Sequence, residues 1–249
     1  MSGHSKWSTI KRKKGAIDAK RSKLFSKLVK EIQIATREGG PDQSMNSRLR
    51  LAVQNAKGAN MPKDNIERAI SKASSEGTNY QELTFEGYAP GGVAVFLECL
   101  TDNKNRTVSS VRSLFTKRGG NLGTNGSLSF LFDRKGVFTL KKGNFDPEEL
   151  ELEMIDAGAE DIEDEGETIV VICAMEDFGN LQKKLETLGI DAENAELQRI
   201  PNTTKKLDVE DAMKVLRLVE DFEDDDDVQN VYHNLEMTDE LELALQESG

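Results

Sequence analysis

The chain has 249 residues, 37% of them hydrophobic and 31% charged, with a formal net charge of −12. At ~150 residues per domain this length supports one to three domains, and the apolar fraction is too high for a wholly disordered chain. No uncharged apolar run approaches the ~18 residues of a membrane span. The basic start leads into Ala16-Ile17-Asp18-Ala19-Lys20 rather than the apolar core of a signal peptide, so a cytoplasmic protein is expected. Cys99 and Cys173 stand far apart in apolar stretches, which excludes a disulfide scaffold and a CxxC zinc site.

The net charge hides a split. Residues 1–80 carry 17 of the 33 Lys and Arg but only 7 of the 45 Asp and Glu, so a basic head precedes a strongly acidic body. Such polarity points to a polyanionic partner for the head, because the body repels phosphate.

Residues 2–15 have few apolar side chains and read as a flexible arm carrying Lys6, Lys11, Arg12, Lys13 and Lys14. Leu24, Leu28 and Ile32, spaced by four, predict a helix over about 17–37 with Lys20, Arg21, Lys23, Lys27 and Lys30 on its remaining circumference. Gly39-Gly40-Pro41 stops it, and Asn46 or Ser47 caps a second helix carrying Leu49, Leu51, Ala52, Val53 and Ala56. Pro62 opens a third, with Ile66, Ala69, Ile70 and Ala73 on one side. Beyond residue 80 the periodicity changes. Residues 84–133 read as β-α-β-β, with strands at 93–100 and 127–132 and the hairpin signal Asn125-Gly126 before the latter. A complete β-α-β-β-α-β pattern follows: strands at 136–140, 159–162, 168–173 and 195–200, helices at 147–157 and 176–188. A helix from Val209 and a short strand at 228–232 supply the α-β that the earlier segment lacks. The acidic stretch from Glu236 reads as peripheral.

The expected fold class is therefore α+β: an N-terminal three-helix domain followed by two ferredoxin-like α/β domains, one inserted in the other. The expected division is 1–80 for arm and helical domain, 81–134 with 202–240 for the discontinuous α/β domain, and 135–201 for the insert.

The sequence offers little material for catalysis. His4 and His233 are the two histidines, no GxSxG occurs, and the glycine-rich run from Gly119 to Gly126 matches neither a P-loop nor GxGxxG. That run reads as tight turns between strands. Glu223-Asp224-Asp225-Asp226-Asp227 lacks the alternating spacing of a calcium loop and reads as a solvated junction. Cys99 and Cys173 read as core side chains. No enzyme activity, metal or cofactor is expected.

The basic constellation carries the information. Lys and Arg neutralise phosphates and release counterions, so the candidate nucleic-acid contacts are Lys6, Lys11, Arg12, Lys13, Lys14, Lys20, Arg21, Lys23, Lys27 and Lys30. Trp7 joins them either as a ring stacked on a base or as an anchor for the arm. Arg106 and Arg112 are secondary candidates for phosphate, beside Asp102, Asn103 and Asn105, which most simply cap a helix.

Several segments also resemble a known family. Gly3-His4-Ser5-Lys6-Trp7, Lys23-Leu24-Phe25-Ser26-Lys27, Asn60-Met61-Pro62-Lys63-Asp64-Asn65-Ile66, Gly87-Tyr88-Ala89-Pro90-Gly91-Gly92-Val93, Thr101-Asp102-Asn103-Lys104-Asn105-Arg106-Thr107 and Asp226-Asp227-Val228-Gln229-Asn230-Val231-Tyr232 resemble the YebC/PmpR family, across nearly the whole chain. The resemblance implies three domains, no enzymatic activity, and a DNA-binding transcriptional regulator in the cytoplasm. It equally admits a ribosome-associated translation activator that binds rRNA or tRNA. A protein-protein adaptor, binding a basic partner through the acidic α/β surfaces, is the remaining reading.

Overall fold

The computed structural model describes residues 18–75, 79–143 and 147–247. Within these, three helices come first: α1 (Asp18–Gly39), α2 (Ser47–Gly58) and α3 (Lys63–Ser75). Asn46 is the residue that caps α2. Its side chain accepts from Leu49 N at 3.0 Å while its amide donates to the carbonyls of Ala35 and Gly40. One buried side chain thus satisfies the start of α2 and the end of α1 together. Gly40 leaves α1 with φ +85°, a conformation that costs glycine little.

The chain divides into two compact units. Of the described residues, the first takes in 18–27, 79–133 and 200–247; the second takes in Leu28 through α3, and the described part of 134–199.

The first unit is built on β1 (Gln81–Tyr88), β2 (Ala94–Thr101), α4 (Lys104–Lys117), β3 (Asn121–Leu122), α7 (Val209–Glu223), β8 (Val228–His233) and α8 (Asp239–Glu247). Its sheet has the order β3-β1-β2-β8, and every neighbouring pair is antiparallel. Alternation along β2 sorts the two faces. Val95, Leu97 and Cys99 join Val111 and Phe115 of α4 and Leu216, Val219 and Phe222 of α7 in one core. Ala94 and Phe96 face the other way, onto Leu128, Phe132 and Tyr232.

The late α-β does complete this sheet, since β8 pairs with β2. The order within residues 84–133 differs from the expected β-α-β-β. It is β-β-α-β, with β1 and β2 joined directly as a hairpin and the short β3 on the far side of β1. Residues 127–131 are also not a strand: a turn and a 3-10 segment (Ser129–Leu131) carry the chain into β4 (Phe132–Lys141). The physical reason is Glu86, only 3% exposed, whose carboxylate accepts the backbone N–H of Gly126 at 2.6 Å and of Leu128 at 2.5 Å. Those amides bond to a side chain and cannot join a strand ladder. The acidic end of the chain is not peripheral either. Met237, just before α8, enters the first core, and Leu241 and Leu245, spaced by four, place one face of α8 in it.

The second unit carries β4, α5 (Pro147–Asp156), β5 (Ala159–Asp164), β6 (Thr168–Ala174), α6 (Phe178–Leu188) and β7 (Ala192–Pro201). Its sheet order is β5-β6-β4-β7, the order a β-α-β-β-α-β chain gives when both helices cover one face. Phe138, Leu140, Val171, Met154, Leu181 and Leu185 fill that core. The chain is thus α+β, with a helical start followed by two mixed α/β assemblies on antiparallel sheets.

Both cysteines are buried in these cores. Burial, aided by the nearby charges of Asp225 and Asp227, pushes the Cys99 thiol up to about 12; burial with the charge of Asp177 pushes Cys173 to about 11. Neither forms a thiolate at neutral pH, as the core reading requires. His233 is likewise fully buried, while His4 lies outside the described residues.

Candidate nucleic-acid interface

The arm residues Lys6, Trp7, Lys11, Arg12, Lys13 and Lys14 lie outside the described residues, as does the side chain of Lys20. The rest of the basic constellation sits on α1, and its members are not equivalent. Arg21 is exposed, with its guanidinium 5.3 Å from the centre of the Phe25 ring. That arrangement places the charge over an aromatic face. Lys23 is drawn to the C-terminal end of α7, where Nζ lies 2.8 Å from the Asp224 carboxylate and donates to the Asp224 carbonyl at 3.3 Å. Lys27 donates to the carbonyl of Glu223 at 3.0 Å. A helix C-terminus leaves carbonyls unpaired and carries partial negative charge, so it holds ammonium groups well. Lys30 is half-buried on the second-unit part of α1. Helical periodicity identifies a basic face but cannot show that α7 meets part of it.

The secondary candidates also separate. Arg106 opens α4, where Asn103 caps the helix by accepting from Arg106 N at 3.1 Å. Its guanidinium forks onto Asp227, with Nε to Oδ2 at 3.1 Å and Nη2 to Oδ2 at 2.8 Å, and also reaches Asp102 at 2.8 Å. Asp227 is nearly buried and accepts from the hydroxyls of Thr101 and Thr107 as well. Arg106 is therefore part of a structural knot. Arg112, six residues further along α4, is exposed and makes no ion pair among the described residues.

The acidic run joins α7 to β8 and is only partly solvated: Asp224 and Asp226 are exposed, while Asp227 is buried. Asp224 holds Lys23, Asp225 accepts from Ser110 Oγ at 2.5 Å and from the Asp227 amide at 2.9 Å, and Asp227 is the centre of the knot. The sequence does not reveal this because the partners lie more than a hundred residues away. A bidentate pair of the same kind joins Arg118 to Asp221, at 2.7 and 3.0 Å. Arg118 holds the Asp221 carboxyl below its ordinary value. A depressed folded-state pKa contributes stability above the unfolded value of ~3.9 and loses it as pH falls through the folded value. Asp221→Asn should accordingly lower the melting temperature at pH 6, with the deficit closing below about pH 4. A deficit of equal size at both pH values would remove the charge from the account.

The glycine-rich run is held by its own backbone and by Glu86. β3 pairs with Gly87 and Tyr88, and a side chain on Gly87 would meet the Asn121 carbonyl at 2.5 Å. It behaves as a turn assembly locked against β1, as expected from the sequence. Among the described residues no group of three His, Cys, Asp or Glu could hold a metal ion, and no helix is long and apolar enough to cross a membrane.

A basic helical start, continued by two antiparallel α/β assemblies with interleaved chain segments, defines a narrow class of proteins. Residues 80–235 match the second and third domains of the TACO1/YebC family, residues 5–76 match its N-terminal domain, and the chain belongs to that family. It is 52% identical to a "probable transcriptional regulatory protein" of Natranaerobius thermophilus, over 97% of this chain and 98% of the relative. It is 50% identical to a protein of the same description from Desulforapulum autotrophicum, over 98% of this chain and all of the relative. Among solved structures, a conserved hypothetical protein of Aquifex aeolicus matches with a TM-score of 0.81 at 46% identity, over 90% of this chain and 93% of that one.

Proposed function

We propose that this protein is a nucleic-acid-binding regulator of transcription whose leading basic segment binds DNA phosphates. The observation that carries the reading is the charge segregation: 17 of 33 basic residues fall in the first 80, on a chain of net charge −12. The description shared by its relatives, probable transcriptional regulatory protein, agrees with it. With Lys23 and Lys27 held by α7, phosphate binding falls to the arm residues Lys6, Lys11, Arg12, Lys13 and Lys14, together with Lys20 and Arg21. Phosphate interactions of this kind position a protein on a duplex without reading its sequence.

Replacing Lys11, Arg12, Lys13 and Lys14 by Ala should weaken duplex binding across all sequences. The slope of log K against log salt should flatten by up to about 0.9 for each phosphate that is no longer neutralised. An unchanged slope excludes the arm. Crosslinking in cells, followed by sequencing of recovered DNA and RNA, tests the target: enrichment of defined DNA sites supports the reading, and recovery of rRNA or tRNA alone overturns it in favour of a role on the ribosome.

A further inference from the structure

We infer that the outward face of α4 is a second phosphate-backbone binding surface, separate from the leading segment. The inference rests on the nucleic-acid reading above but not on the arm.

Helix α4 has the sequence KNRTVSSVRSLFTK, which contains four cations and no carboxylate. In a chain with 45 Asp and Glu this helix carries cations alone, and the nearest carboxylates bond to groups other than Arg112 and Lys117. Asp227 and Asp102 are engaged by Arg106, Asp225 by Ser110, and Asp221 by Arg118. Asp221 also feels the charge of Lys117, but its oxygens are already bonded to the guanidinium. Arg112 and Lys117 form no ion pair among the described residues.

These two cations line a shallow groove of about 480 Å³ with Ser109, Ser113 and Thr116, all five exposed. Thr116 donates its hydroxyl to the Arg112 carbonyl, while Ser109 and Ser113 are left to donate outward. Hydroxyls beside cations are the usual donors to phosphate oxygens. From Ser109 to Thr116 the helix rises about 10 Å, which matches three steps between successive phosphates of one strand at ~3.4 Å each along a duplex axis. Nothing in the groove is buried, so it suits an extended backbone lying across it rather than a small enclosed anion.

The test uses the full chain and a labelled mixed-sequence DNA duplex, with affinity followed against salt by fluorescence anisotropy. Arg112→Gln/Lys117→Gln should reduce affinity and lower the salt slope by up to about 1.8, or ~0.9 for each cation removed. Ser113→Arg should raise the slope by up to about 0.9, so the proposal stays testable if the double variant folds poorly. Unchanged slopes in both α4 variants, with a reduced slope in the arm variant, overturn this inference and leave the proposed function standing. Changed slopes in the α4 variants with an unchanged arm variant uphold it and move phosphate binding from the arm to α4. Unchanged slopes in every variant overturn both.

Discussion

Asp227→Ala is expected to be among the most damaging single substitutions in the first unit. Asp227 is 5% exposed, and its carboxylate accepts from Arg106, Thr101 and Thr107. Its backbone carbonyl accepts from Leu100 N at 2.8 Å, so the same residue ties β2, α4 and the start of β8. Hydrogen bonds to a charged group contribute about 1.5–3 kcal/mol each, and breaking a fully buried ion pair costs about 3–5 kcal/mol. Two facts lower that ceiling. The Arg106 side chain is 53% exposed and regains water when its partner goes. Thr107 keeps a second acceptor in the Asn103 carbonyl. The expected loss is about 2–3 kcal/mol, or roughly a 5–10 °C fall in melting temperature for a chain of this size. Arg106→Ala leaves the buried Asp227 carboxylate with only its threonine donors, so it should destabilise as well, and the double variant should cost less than the sum of the two. Strict additivity, or a loss below about 0.5 kcal/mol for Asp227→Ala, would reduce the knot to a surface ion pair.

The knot shows where sequence reasoning runs out. Residues 223–227 look like solvated charge because nothing local reveals Ser110, Thr101, Thr107 or Lys23. Glu86 hides its role in the same way, since its two amide partners are some forty residues on. The second unit is far more legible. Its helices and its inner strands β4 and β6 carry clear apolar runs, as in Phe178, Leu181 and Leu185, and its strand order is the one expected of a β-α-β-β-α-β chain. The first sheet is legible in composition but not in route, because β1 holds only Leu83 and Phe85 in its interior and β3 is two residues long. For α8, acidic residues interleaved with the apolar ones mask the four-residue spacing of Met237, Leu241 and Leu245. On α1, charge is readable and direction is not, so Lys23 and Lys27 look outward until α7 is in place.

Gly58→Ala reverses the sign that helix propensity alone would give. At an open position in a helix, Gly→Ala stabilises by about 1 kcal/mol. At Gly58, the last residue of α2, an added Cβ would lie 1.8 Å from the carbonyl oxygen of Glu193 and 2.9 Å from its Cα. Backbone cannot rotate out of the way, so α2 must lift from β7. The lift also strains the pairing beside it. β7 is an edge strand of its sheet, and Asn55 pairs with it as a strand would: Nδ2 donates to the Ala195 carbonyl and Oδ1 accepts from Ala195 N, both at 2.9 Å. Leu51 packs against the same core. Overpacking typically costs 1–3 kcal/mol, and a neutral side chain-backbone hydrogen bond contributes about 1 kcal/mol, so Gly58→Ala should destabilise by roughly 2–4 kcal/mol. Gly179→Ala is the internal control, because that glycine lies in α6 of the same unit with nothing within 4 Å of its would-be Cβ. It should be neutral or stabilising by up to about 1 kcal/mol. Chemical denaturation of the two variants decides the matter: if Gly58→Ala is no less stable than Gly179→Ala, α2 does not sit on the β7 edge as described, and the Asn55 pairing goes with it.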